Sequence, residues 1–250
     1  MDIQEIQRRL AKPALQLIPG GFRPSGSDEE SWLGRVFLFR EDEELPRNSA
    51  GETLLPFAQF YLPALPFHSP LLEGVRVLTV FVANPFPEPL EPMGERWLIR
   101  EYRAEDVLVR KDLTAPGAFL KPFPLKPEAV PADFPLWDGG GVPEDLEREI
   151  LELENSGQIE CYYDLVNHCY QHKLGGYPSF CQSGIDVGDG FEFVMQISSD
   201  AKINLNVVHG GSLMFWKHPG SGEWALYYDC LLYTSPSPRD QRGSRMPSSA

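Results

Sequence analysis

Basic residues are scarce in this sequence: 22 Lys and Arg stand against 36 Asp and Glu in 250 residues, a formal net charge of −14 at pH 7. Binding a phosphate backbone takes a basic face that displaces counterions, so nucleic acid is not an expected partner. Anionic membrane surfaces are disfavoured for the same reason. Cysteine is equally sparse. Cys161, Cys169, Cys181 and Cys230 are too few for a disulfide framework and read as reduced thiols in a cytoplasm. Long apolar runs are missing too: the longest, over residues 75–83, falls far short of the roughly 20 residues that span a bilayer. The first ten residues, MDIQEIQRRL, mix charged and apolar side chains and do not resemble a signal peptide. No cofactor motif is present, so none is expected. These absences together predict a soluble cytoplasmic protein, and the acidity would suit a protein partner with a basic surface.

What the sequence does have is proline and aromatic residues. Its 24 prolines are roughly twice the average usage, and aromatics make up 12%. Both favour strands and rigid loops over a helical bundle. A short helix is expected where Ile3, Ile6 and Leu10 recur at helical spacing, ending before Pro13. Residues 32–40, 54–62, 75–83 and 96–102 read as strands, as do 191–197, 205–209, 212–217 and 224–228. Residues 115–138, centred on KPFPLKP, are predicted to be an edge strand or an extended crossing segment, because proline cannot donate to a ladder. Gly139–Gly141 mark the best break. Pro143 and the acids after it open a helix with Leu146, Ile150 and Leu153 on its buried face and Gly157 at its end.

The chain is therefore divided into a β-rich half over 1–138, a Gly-rich break and helix over 139–158, and a second β-rich half over 159–229. Residues 230–250 are expected to lie outside the fold. Residues 230–235 reverse-translate as TGT CTC TTA TAC ACA TCT, which resembles the transposon end of a sequencing adapter. Residues 236–240 continue it, and residues 244–250 resemble its outer end. A read-through of this kind is excluded from fold reasoning, and the genuine chain is expected to be cut off near Asp229, with the natural sequence beyond that point missing.

The two halves share an order of short segments. Trp32-Leu33-Gly34-Arg35 parallels Lys173-Leu174-Gly175-Gly176. Residues 54–62, with Gln59, parallel 191–199, with Gln196; residues 75–82 parallel 211–218, and Arg96-Trp97 parallels Glu223-Trp224. Strands that persist while loops vary are the mark of an internal duplication. The segment HKLGGYPSFCQ over 172–182, followed by FEFVMQISSD and GGSLMFW, resembles the YwqG-like family of mostly bacterial proteins of unknown function. IPGGFRP, SWLGRV, LLPFAQFYLPALPF and LTVFV extend the resemblance over residues 14–229. It implies a mainly β (β-rich α+β) fold of duplicated antiparallel sheets with a few peripheral helices. It also implies a binding module with links to toxin–immunity systems. One departure is that Val208-His209-Gly210-Gly211 stands where many relatives carry a Gly-Asp-Gly turn.

Several constellations bear on chemistry. Were residues 159–173 helical, Cys161, Asp164, His168 and His172 would share one face and form a tetrahedral zinc set. Their spacing matches no standard finger, and no zinc is expected. An enzyme or metal-dependent protein built on Cys161, His168 and His172 is the alternative to a binding module. His209-Gly210-Gly211-Ser212 resembles an esterase oxyanion loop but lacks a Gly-x-Ser-x-Gly elbow, so a β-turn explains it better. Lys173-Leu174-Gly175-Gly176 has neither the spacing nor the context of a phosphate loop. Gln59 and Gln196, each within an apolar strand, either read a ligand through the amide or satisfy backbone groups. The candidate binding residues are thus Gln59, Lys173, Gly175, Gly176, Tyr177, Gln182, Gln196 and His209, with no catalytic residue named.

Overall fold

Alternating apolar residues turn Leu15 and Leu17 of the first strand, β1 (Lys12–Pro19), towards the core. The computed structural model of the chain describes residues 2–67 and 69–229, so the tail over 230–250 lies outside the described residues. Helix α1 (Ile3–Leu10) precedes β1. After it come β2 (Trp32–Leu33), β3 (Leu38–Phe39), β4 (Leu55–Tyr61), β5 (Val75–Val82), β6 (Trp97–Arg103), β7 (Val109–Arg110) and β8 (Phe123–Asp133). Helix α2 (Glu144–Asn155) leads to β9 (Lys173–Gly175), β10 (Glu192–Ser198), β11 (Ser212–Lys217) and β12 (Trp224–Tyr227). The fold is mainly β, as expected.

Among the described residues ten strands form one antiparallel sheet in the order β12-β11-β10-β9-β1-β8-β2-β4-β5-β6, and β3 pairs with β7 in a second. The large sheet curls until its outer strands approach each other. Trp224 Nε1 on β12 donates to Glu101 Oε1 on β6 at 2.7 Å, and Lys217 Nζ on β11 lies 2.6 Å from the same oxygen. Leu33, Phe57 and Trp97 of one half thereby share a core with Leu174, Val194 and Phe215 of the other. Helices α1 and α2 pack outside it, Ile6 and Leu10 against Leu146, Ile150 and Tyr162. No helix among the described residues is long and apolar enough to cross a membrane.

Three expectations need correction. Residues 115–138 do not form an edge: β8 lies at the centre of the sheet between β1 and β2. Its later prolines, Pro127 and Pro131, are tolerated because β2 pairs only with Phe123 and Pro124. The last bond on that side, from the Leu125 amide to Ser31 O, is made before them, so beyond Leu125 one side of the strand has no ladder to complete among the described residues. Residues 32–40 break into β2 and β3 around Gly34, whose φ is 72°. Residues 205–209 form only isolated bridges, Asp200 to Leu205 and Val207 to Gly211. In addition β1, unforeseen in the sequence, pairs with both β8 and β9, so the sheet crosses the boundary drawn at residue 138.

The duplication is visible in strand register. Trp32 pairs with Gln59 and Lys173 with Gln196; Gln59 pairs with Thr79 and Gln196 with Met214; Val82 pairs with Trp97 and Lys217 with Trp224. Each Gln-bearing strand also carries an irregularity two residues earlier, at Phe57 and at Val194. These pairings shift the sequence alignment of β5 and β11 by one residue, so that Val77 matches Ser212. The leading strands are exchanged between halves. β1 pairs with β9, where Gln16 meets Lys173, and β8 pairs with β2, where Pro124 meets Trp32. The pseudo-two-fold axis therefore passes through the Ile18–Lys126 pair at the centre of the sheet.

Candidate functional site

Asp133, at the end of β8, and Lys173, at the start of β9, are both fully buried. Lys173 Nζ donates to Asp133 Oδ2 at 2.8 Å and to Cys169 O at 2.5 Å. The carboxylate also accepts from the Cys169 and Tyr177 amides, at 2.7 and 2.9 Å. This explains the Leu-Gly-Gly-Tyr segment. Gly175 and Gly176 hold φ near 70°, and a Cβ on Gly176 would overlap Asp133 Oδ2. The Tyr177 hydroxyl is taken by Leu10 O at 2.8 Å. Burial lowers the Lys173 pKa against the opposing pull of Asp133. Lys173, Gly175 and Tyr177 are buried and brace the site from inside.

The network continues outward. His168 Nδ1 donates to Phe134 O at 2.6 Å, which leaves Nε2 to accept from Ser179 Oγ, also at 2.6 Å. Ser179 thus faces an imidazole in the tautomer of a hydrolase base, but the chemistry behind it is wrong. Asp133 Oδ1 stands 3.7 Å away and accepts from the Cys169 amide, while Oδ2 of the same carboxylate is paired with Lys173. Burial, reinforced by the Lys173 charge, lowers the His168 pKa to about 4. An imidazolium at this place is disfavoured, so His168 makes a poor general base at neutral pH.

Gln196 Oε1 accepts from the Ser179 amide at 3.0 Å, while Nε2 donates to Gln171 O at 3.0 Å. Gln59 repeats both contacts at equivalent places. Its Oε1 accepts from the Leu38 amide at 2.9 Å and its Nε2 donates to Glu30 O at 3.4 Å. Both glutamines thus satisfy backbone groups on either side of the short strand they pair with. His172 has a counterpart of the same kind: its Nδ1 accepts from the Ser198 amide at 3.0 Å, as Ser31 Oγ accepts from the Tyr61 amide at 2.9 Å.

The zinc set does not assemble. Residues 159–173 contain only a single 3-10 turn at Tyr162–Asp164, so the shared helical face does not exist. Asp164 Oδ2 is engaged by the Glu160 and Cys161 amides. Among the described residues no group of three or more His, Cys, Asp or Glu is placed to hold a metal. His209 sits exposed on a turn at φ 60°, and Gln182 is exposed with its amide donating to Asp229 Oδ2 at 3.0 Å.

A cleft of about 630 Å³ opens beside this network, between the end of β1 and the ends of β10 and β11. Leu17–Pro19 form one wall, Tyr170–His172 the rim, and Ser179, Phe180, Ser198, Asp200 and Ser212 the floor and far side. The duplication supplies an internal comparison. Leu38, Tyr61 and Val77 occupy the places of Ser179, Ser198 and Ser212. Together with Trp32, Phe37, Tyr102 and Leu108 they form a packed apolar cluster. Three large side chains in one half are replaced by three serines in the other, and the cleft is the space they leave. No single-sequence motif announces Ser179, Ser198, Ser212, Asp133 or Asp200; aligning the halves by register is what exposes the serines. Comparison with protein-family models and with curated proteins gives no match to this chain.

Proposed function

We propose that the chain is a binding module of the kind the YwqG-like resemblance suggests, a soluble cytoplasmic protein that takes its ligand in the C-terminal cleft. One observation carries this reading: the same position in the scaffold is filled by Leu38, Tyr61 and Val77 in one half and hollowed by serines in the other. Concave, partly apolar sites with a few convergent polar groups are the usual ligand sites. The polar groups in and behind the cleft also favour binding over catalysis. Ser179 and His172 of its lining, and His168 and Gln196 behind it, are held by internal partners, and burial lowers the pKa of both imidazoles, which favours their neutral form.

The test restores the filling. Ser198→Tyr and Ser212→Val, alone and together, copy residues that the other half accommodates, so the fold should survive. A thermal-shift screen of metabolites and short peptides is expected to give hits with the wild type that the double variant loses. Hits that persist unchanged in a folded double variant would refute the cleft as the binding site.

A further inference from the structure

The N-terminal half shows what a guest in this position looks like. There β7 lies antiparallel to β3, Arg110 opposite Leu38 and Val109 opposite Phe39, and the Lys111 amide donates to Phe37 O at 2.9 Å. Leu108, the residue before β7, packs against the cluster of Trp32, Phe37, Leu38 and Val77. A short strand thus closes the N-terminal counterpart of the cleft.

In the C-terminal half the matching residues are Pro178, Ser179 and Phe180, by the same register that matches Gln196 to Gln59. The Ser179 amide goes to Gln196 as the Leu38 amide goes to Gln59. No strand lies beside Ser179 and Phe180 among the described residues. The two backbone groups that an added strand would engage are the Phe180 amide and the Pro178 carbonyl. Neither makes a hydrogen bond among the described residues, and Phe180 lines the cleft. An added strand would pair with both groups.

The surroundings give that strand a character. β7's site is apolar, whereas this one is floored by the hydroxyls of Ser179, Ser198 and Ser212. Asp200 lines it with no Lys or Arg ion pair among the described residues. Its nearest basic partner is His172, at 3.4 Å, which burial keeps towards the neutral form. The Lys202 ammonium is engaged elsewhere, donating to Pro19 O and lying 5.3 Å from the Phe123 ring centroid. Tyr170, 54% exposed, offers a ring face at the rim.

We infer that the cleft takes an extended peptide strand from a partner protein, added antiparallel to residues 178–180 as β7 is added to β3, with a basic side chain directed to Asp200. Strand addition supplies affinity through main-chain bonds and specificity through the alternate side chains. A basic strand also complements a protein of net charge −14. The inference rests on the reading of the cleft as a binding site.

The probe is a synthetic array of heptapeptides with alternating apolar residues and one Lys or Arg, beside the same array with Glu in its place. Binding is followed by amide NMR and hydrogen exchange on the full chain. Basic peptides are expected to shift the Phe180 amide and slow its exchange at least tenfold. N-methylation of alternate peptide nitrogens should weaken binding about tenfold or more, and so should Asp200→Asn for the basic set alone. Three outcomes would overturn strand addition while leaving the cleft a binding site: binding indifferent to N-methylation, Glu peptides binding as well as basic ones, or only non-peptide ligands shifting the cleft amides. Two outcomes would overturn both readings: no probe of any kind shifting those amides, or a Phe180 amide already protected by the chain's own residues beyond Asp229.

Discussion

Asp133 and Lys173 form a charge pair with no solvent contact, and its value lies in what it holds rather than in its Coulomb energy. The carboxylate gathers the Cys169 amide, the Tyr177 amide and the Lys173 ammonium around one point, which fixes the turn behind the cleft. Lys173→Met leaves that carboxylate buried and uncompensated. It should cost about 3–5 kcal/mol in urea unfolding, and an unchanged midpoint would contradict the account. The histidines predict a pH dependence. The folded pKa of His168 is lowered to about 4 from the ordinary 6.5, so between those values the unfolded chain binds a proton that the folded chain refuses. Stability therefore falls as pH drops through that window, by about 2 kcal/mol between pH 7.5 and 5 from this group alone, and His172, also lowered, adds in the same direction. Denaturation at the two pH values checks it. His168→Asn should flatten the slope, and a steeper or equal slope in that variant would exclude His168 as its source.

Matched side chains brace each repeat at the level of its strands. Gln59 and Gln196 each tie the strand that bears them to backbone on both sides of the short strand paired with it, β2 or β9, through one accepted amide and one donated bond. Replacing either by Leu orphans buried backbone groups and should cost about 3 kcal/mol in chemical denaturation. A loss below about 0.5 kcal/mol would mean that the amides are incidental. Much of this was legible in the sequence. A glutamine inside two apolar strands at the same phase signalled a shared demand, because register fixes which face a side chain meets. β8 was not legible, since its prolines argue for an edge, and only the shortness of β2 explains how they sit at the centre. β1 escaped notice because its alternation is only eight residues long and begins Lys-Pro. The zinc set failed because the 159–173 segment is coiled around Asp133 instead of helical, and no local pattern foretells that.

Across the whole molecule, the exchanged leading strands make the halves interdependent. β1 belongs in sequence to the first repeat but is hydrogen-bonded to β9 of the second, and one core draws on both. A chain cut within residues 139–141 should therefore reassemble from co-expressed fragments, while the C-terminal fragment alone, lacking β1, stays unfolded. Co-purification and circular dichroism decide this, and an independently folded C-terminal fragment would contradict the exchange. The same symmetry frames the functional claim, because one scaffold position is packed in one half and open in the other. Crystallographic fragment screening tests that claim most directly. Bound fragments are expected in the cleft between β1 and β10, against Ser179, Ser198 and Ser212, and none at the counterpart beside Leu38, Tyr61 and Val77. Fragments clustering elsewhere, or a cleft filled by the chain's own residues beyond Asp229 as β7 fills its counterpart, would contradict it.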